Sequence, residues 1–257
     1  VVEAGPRLLP KEDEDVAALI AETLRAEGID VRTEEAAERV ARASLVTSKG
    51  AIPFDDILLA IGRKPRLTGY GLEALGIDTG RPLEVNDRLE TAFPNIYVVG
   101  DVAGAYQFTH AASHQAWHAA VNALFGGFRR FRVDYRVLPW VTFTDPEVAH
   151  VGHNEDSAGA AGVDFELVRF DLAGLDRAVA EGAAEGFVKL LADAETDRIL
   201  GCHVIGPSAG DLIHEVCVAM EFGAAAEDLA LTCHAHPTYS EAMREAALAC
   251  GLGPIHA

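Results

Sequence analysis

The sequence predicts an α/β fold followed by an α+β fold, and three observations carry that reading. First, Val1-Val2-Glu3, an amphipathic stretch from Pro10 to Ala26, and Ile29-Asp30-Val31-Arg32 read as strand, helix and strand within about thirty residues, the latter part of a parallel βαβ unit of a doubly wound nucleotide-binding sheet. Second, an apolar strand at Ile96-Tyr97-Val98-Val99 ends on Gly100-Asp101 and is followed by a helix over 108–125. Third, from about Tyr135 onward, apolar strands alternate with polar turns, as in antiparallel sheet. The expected division is 1–62 and 63–134 as parts of two doubly wound domains, and 135–257 as an antiparallel-sheet domain.

The first helix places Val16, Leu19, Ile20 and Leu24 at helical spacing and is ended by Gly28. Glu3 then falls at a strand tip. In a βαβ unit an acid at the tip of the second strand accepts hydrogen bonds from the ribose of a dinucleotide, with a Gly-rich turn about twenty residues before it. No such turn precedes Glu3 here, so a solvent-facing loop acid stands beside the ribose reading. Gly69-Tyr70-Gly71-Leu72-Glu73-Ala74 matches a loose GxGxxA pattern, but no strand runs into it.

Ile52, Phe54, Ile57, Leu58, Leu59, Ala60 and Ile61 predict a strand pair whose second member is buried on both faces. Gly62-Arg63-Lys64-Pro65 breaks that run where backbone can approach a ligand closely. Gly100-Asp101 falls at the carboxyl end of a buried strand, where doubly wound sheets hold ligands, and the following helix N-terminus offers amide donors to the same crevice. His110, His114 and His118 form an i, i+4, i+8 ladder. No Cys, Asp or Glu on that face completes a ligand set, and no metal is expected there.

In the third segment, strands are predicted at Trp140-Val141-Thr142-Phe143-Thr144, Phe187-Val188-Lys189-Leu190-Leu191 and Ile199 to Gly206, with a polar turn at 193–198 and helices over 209–222 and 237–248. Between the helices lies Cys233-His234-Ala235-His236-Pro237-Thr238-Tyr239-Ser240-Glu241. An imidazole and a carboxylate five residues apart around a proline can transfer protons, because a carboxylate on one ring nitrogen fixes the tautomer and raises the basicity of the other. A purely structural turn histidine is the alternative on pattern alone.

A net charge of −19 and a pI near 4.8 argue against nucleic acid and against an anionic membrane surface. No apolar run reaches about 18 residues, and the first residues lack the basic-then-apolar signal-peptide pattern, so a cytoplasmic location is expected. Cys202, Cys217, Cys233 and Cys250 lie far apart in apolar surroundings and are expected to be buried free thiols.

Val1-Val2-Glu3-Ala4, Leu58 to Pro65, Asn95 to Val102 and His236 to Glu241 occur in an order that resembles the flavin-dependent pyridine nucleotide disulfide oxidoreductases across essentially the whole chain. Within that family the dihydrolipoamide dehydrogenase branch is the nearest, with glutathione reductase-like and mercuric reductase-like members as alternatives. The resemblance implies an FAD enzyme that passes electrons between NAD(H), flavin and a redox disulfide, acting on a small-molecule disulfide or dithiol as a homodimer. By the same resemblance Glu3 selects NAD, Ala37 and Gly62 line the nicotinamide-cofactor site, Gly100 and Asp101 meet the flavin's ribityl chain, and Gln107, Phe108, Thr109 and His110 bring backbone to the isoalloxazine ring. His236 matches the acid/base, Glu241 the carboxylate that orients it, and 135–257 the interface (dimerisation) domain. The sequence lacks a GxGxxG fingerprint, a Gly-rich nicotinamide turn and two cysteines with the redox spacing. It therefore reads as the C-terminal part of a longer enzyme, and the isolated 257 residues are expected to be inactive. An inactive dimerisation module is the remaining reading.

Overall fold

A computed structural model describes residues 1–93, 95–104 and 106–250. Pro94, Ala105 and the tail from Gly251, the end of the expected 135–257 domain, lie outside them. The chain divides into two compact units, Val1–Ile57 with Val137–Ala257, and Leu58–Arg136.

In the first unit, helix α1 (Glu14–Ala26) starts four residues later than the pattern predicts, because 10–13 form a turn that places Glu12 and Asp13 ahead of the helix. Its face is as expected: Val16 and Ile20 are buried, with Leu19 and Leu24 packed beside them. The predicted flanking strands reduce to one parallel bridge, Val2 to Arg32, and Val1 is exposed. Strands β1 (Ala37–Ala41), β2 (Ser44–Thr47) and β3 (Gly50–Pro53) then form a small antiparallel sheet that the sequence reading anticipates only at its last strand.

The second unit corrects two predicted strands. Leu58 to Ile61 forms no strand, and Leu58 is 91% and Ile61 85% exposed. Ile96 to Val99 makes only a bridge from Tyr97 to Glu90. An apolar run specifies burial, but a strand also needs neighbours for its N–H and C=O groups, and the 96–99 run finds only the short segment 89–91, through Val98 N–H to Leu89 O and Thr91 N–H to Ile96 O. Helix α2 (Thr109–Phe125) forms as expected. Leu89, Ala119 and Val133 pack together in one small core, and Leu67, Leu83 and Val98 in another.

The main sheet belongs to the first unit and is wholly antiparallel. It comprises β4 (Trp140–Thr142), β5 (Glu147–Gly152), β6 (Phe165–Asp171), β7 (Phe187–Asp193) and β8 (Ile199–Gly206), in the order β4-β5-β8-β7-β6. Strands β5 and β6 are absent from the sequence reading, since neither is a continuous apolar run. Short helices α3 (Glu155–Ala161), α4 (Asp176–Glu181) and α6 (Ala226–Leu231) join α5 (Ala209–Glu221) and α7 (Glu241–Ala249).

Side-chain alternation explains why the interiors of β7 and β8 are apolar on both faces apart from Lys189 and His203. Val188, Leu190, Cys202 and Val204 share one core with Ile213 and Val216 of α5 and Ala242, Met243 and Ala246 of α7. Phe187, Ile205 and Val148 point the other way, onto Val16 and Ile20 of α1. On that α1 side the strand register lines up one polar row, Trp140–His150–His203–Lys189–Arg169, each opposite the next on neighbouring strands. The acids preceding and opening α1 lie over it. The Lys189 ammonium, 1% exposed, donates to Asp13 (2.8 Å), to Asp15 (3.0 Å) and to Glu155. Burial alone would lower the Lys189 pKa, but these hydrogen bonds outweigh it and raise it above the ordinary lysine value.

All four cysteines are free. Cys202 and Cys250 are buried as expected, with the Cys250 thiol pushed up to about 11 by burial. Cys217 is only half-buried and Cys233 is exposed, because Cys233 falls in the irregular segment after α6 rather than on a packed face. No helix among the described residues is long and apolar enough to cross a membrane.

Candidate active site

The C-terminal motif folds as the spacing requires. Pro237 and Thr238 turn the chain so that Glu241 becomes the first residue of α7, where the helix dipole favours a carboxylate. Glu241 Oε2 accepts the Thr238 amide at 2.9 Å, and Oε1 lies 3.2 Å from His236 Nδ1. Thr238 Oγ1 closes the turn by donating to the Ala235 carbonyl at 2.6 Å. The two side chains have opposite environments: Glu241 is 8% exposed and His236 62%. Burial alone would raise the Glu241 pKa, yet the Thr238 amide, His236 and Arg244 together hold it below the usual carboxylate range. A carboxylate can only accept, so His236 Nδ1 carries the proton toward it and Nε2 is left as the available base. Asp176, at the start of α4, lies 3.7 Å from that Nε2. Sequence spacing gave no signal of this third group, because 60 residues separate it from His236.

In the second unit, the segment 100–103 forms a turn of 3-10 helix, with Gly100 at φ 73° and Gly104 at φ 81°. A Cβ on Gly100 would meet that of Ala112 on α2 at 3.2 Å. The backbone here runs tight against the helix, and Gln115 Oε1 accepts the Gly100 amide at 2.6 Å. Asp101 is half-buried, and among the described residues no hydrogen bond engages its carboxylate. The N-terminus of α2 follows Phe108 without a side-chain cap. Gln107 and Phe108 are half-buried there, Thr109 and His110 are exposed, and the Phe108 and His110 rings stack at 5.2 Å. Asp101, Gln107, Phe108, Thr109 and His110 therefore gather at one end of α2. Of the histidine ladder, His118 is buried, with Nδ1 3.0 Å from the His114 carbonyl.

Glu3 Oε1 accepts the Gly5 amide at 2.7 Å just after the parallel bridge, Ala37 is exposed at the start of β1, and Gly62 has φ 109° outside any helix or strand.

Two family models cover most of the chain. Residues 1–116 match pyridine nucleotide-disulphide oxidoreductase, and residues 138–247 match the pyridine nucleotide-disulphide oxidoreductase dimerisation domain. The chain belongs to the pyridine nucleotide-disulphide oxidoreductases. Among curated members of this family, it is 39% identical over 268 residues to the dihydrolipoyl dehydrogenase of Thermus scotoductus, covering 100% of this chain and 57% of that protein. It is 42% identical over 205 residues to the human mitochondrial dihydrolipoyl dehydrogenase, covering 79% of this chain and 40% of that one. Among solved structures, LpdA from Mycobacterium tuberculosis superposes with a TM-score of 0.89 at 30% identity, over 96% of this chain and 55% of its own. The HOCl-induced flavoprotein disulfide reductase RclA from Escherichia coli gives 0.86 at 28%, over 96% and 58%. The chain spans about half the length of the curated relatives it matches. Dihydrolipoyl dehydrogenases are thus among the relatives of the chain within this family, as the motifs implied.

Proposed function

We propose that these residues serve an FAD-dependent, NAD-linked disulfide oxidoreductase acting on a small dithiol of the dihydrolipoamide kind, as one half of a homodimer. The observation that carries the reading is the exposed His236 imidazole held by the buried Glu241 carboxylate, in a chain whose curated relatives are dihydrolipoyl dehydrogenases. In this reading 1–62 belongs to the NAD-binding domain, 63–134 to the FAD-binding domain and 135–257 to the interface domain.

The residues present fit one part of a flavin cofactor. The close approach of Gly100 to α2, the half-buried Asp101 and the α2 N-terminus, which has no side-chain cap, offer an acceptor for ribityl hydroxyls and amide donors for an electron-rich ring edge. When bound, the flavin supplies the two-electron relay between nicotinamide and disulfide. Glu3 keeps Oε2 for ribose hydroxyls and repels a 2′-phosphate, and Ala37 and Gly62 leave backbone accessible for the nicotinamide cofactor.

Within the reaction, His236 Nε2 accepts a proton from the substrate dithiol, and the resulting thiolate attacks the enzyme's disulfide, breaking its S–S bond and forming a mixed disulfide. In the reverse direction the imidazolium returns the proton. Glu241 keeps the ring in the Nδ1–H tautomer and stabilises the imidazolium through a charged hydrogen bond. The reactive cysteines would come from the part of the relatives' length that this chain does not span. The interface domain would place His236 at the partner's disulfide.

The test is the NAD⁺-dependent oxidation of dihydrolipoamide by a full-length protein carrying these residues. Turnover with NAD⁺ at least tenfold above NADP⁺ is expected, and turnover with NADP⁺ alone, or none with any dithiol, contradicts the reading.

A further inference from the structure

The polar row of the main sheet contains a second imidazole–carboxylate cluster, sealed on all sides. Glu12, His150 and His203 have side chains 4%, 1% and 0% exposed. Three of their atoms converge: His150 Nδ1 and His203 Nε2 are 2.6 Å apart, His203 Nε2 and Glu12 Oε2 2.8 Å, and His150 Nδ1 and Glu12 Oε2 3.4 Å.

The outer atoms fix which lone pairs face inward. The Gly152 carbonyl can only accept, so His150 Nε2, 2.9 Å from it, carries the ring proton and Nδ1 presents a lone pair. Trp140 donates its indole N–H to Glu12 Oε1 at 2.7 Å and stacks on the His150 ring at 4.1 Å. Such partners behind each ligand orient metal-binding imidazoles and carboxylates. The proton of His203 Nε2 lies between the other two groups, while His203 Nδ1 is buried with no hydrogen-bond partner and stands 3.6 Å from Asp13 Oδ2, which also accepts from Lys189.

We propose that Glu12, His150 and His203 form a binding site for a divalent transition cation of the zinc class. Two imidazoles and one carboxylate are a borderline ligand set suited to zinc or cobalt, and supply three of the four ligands of a tetrahedral site. Bonds of about 2.0–2.2 Å in tetrahedral geometry set ligand atoms about 3.4 Å apart, so the two shorter edges open by several tenths of an ångström. The His203 proton shifts from Nε2 to Nδ1, where it can be donated to Asp13. The orphaned His203 Nδ1 then gains a partner, and no net proton is released. The surrounding charge favours a cation: Asp13, Asp15 and Glu155 face the single Lys189 ammonium, with Arg169 3.3 Å from Asp15. Glu12 precedes α1 while both histidines lie on the sheet, so a bound cation would clamp that helix to β5 and β8. The proposal does not depend on the flavin chemistry proposed above.

The experiment uses the full chain, stripped with chelator and titrated with Co²⁺, read by visible d–d absorption and by retention after desalting. One Co²⁺ per chain is expected, displaced by Zn²⁺, with at least tenfold weaker binding in Glu12→Gln and His150→Phe and unchanged binding in Cys233→Ser and His114→Asn. If the cluster variants do not fold, the unmutated chain decides: Zn²⁺ should shift the ring-nitrogen NMR signals of His150 and His203 specifically. No stoichiometric retention, loss of binding in Cys233→Ser or His114→Asn, or unshifted His150 and His203 signals would overturn the proposal.

Discussion

His236 with Glu241 and His203 with Glu12 are the same chemical pair in opposite settings. His236 stands on a turn with its second nitrogen open to solvent and its carboxylate fixed beneath it by a backbone amide. His203 sits inside the sheet with its ring enclosed by His150, Glu12 and Asp13. Burial lowers the His203 pKa despite its contact with Glu12. Burial would raise that of Glu12, but its contacts with His150, His203 and Trp140 hold it far below the ordinary carboxylate range. A proton-transfer group needs one nitrogen to meet substrate while the other is held. A buried pair instead ties elements together and keeps its protons from solvent.

The largest effect on stability should come from the sealed region. Lys189→Met leaves Asp13 buried without its cation and should cost about 3–5 kcal/mol, measured by chemical denaturation followed through Trp140 fluorescence. A loss below about 1 kcal/mol would mean that the polar row contributes little to holding α1 on the sheet. Next comes acid sensitivity. A buried histidine whose folded pKa lies below the unfolded value of 6.5 gives stability present above that pH and lost as pH falls through the folded value. Glu12, depressed from 4.5, adds a further loss at lower pH. Stability should therefore decline as pH drops below about 6.5, and His203→Gln should flatten the first part of that decline. A profile unchanged by the substitution would break the comparison. The smallest effect is at the open pair, where Glu241→Gln removes charge but retains an acceptor for the Thr238 amide. Stability should change by about 1 kcal/mol or less, while dithiol turnover in a full-length protein falls about tenfold or more.

Legibility in the sequence follows the same division. The His236–Glu241 pair could be read because both residues lie within one turn and the start of one helix, so spacing alone sets their geometry. Helices α1, α2, α5 and α7 were legible from periodicity, and β7 and β8 from continuous apolar runs. The Trp140–His150–His203–Lys189–Arg169 row was not, because strand register assembles it from five segments, each polar residue looking like an isolated exception. The strands predicted at Leu58 to Ile61 and Ile96 to Val99 failed for a related reason. Composition specifies what a strand wants to bury, while pairing depends on neighbours elsewhere. Asp176 and Glu12 reach their histidines only through tertiary packing.

The measurement that tests the account most directly separates the two half-reactions of a full-length protein carrying His236→Gln. Reduction of bound flavin by NADH should proceed within about twofold of the unsubstituted rate, while reduction by dihydrolipoamide should slow by about 10²–10⁴-fold. Equal slowing of both half-reactions, or of neither, would contradict the assignment of proton transfer to His236.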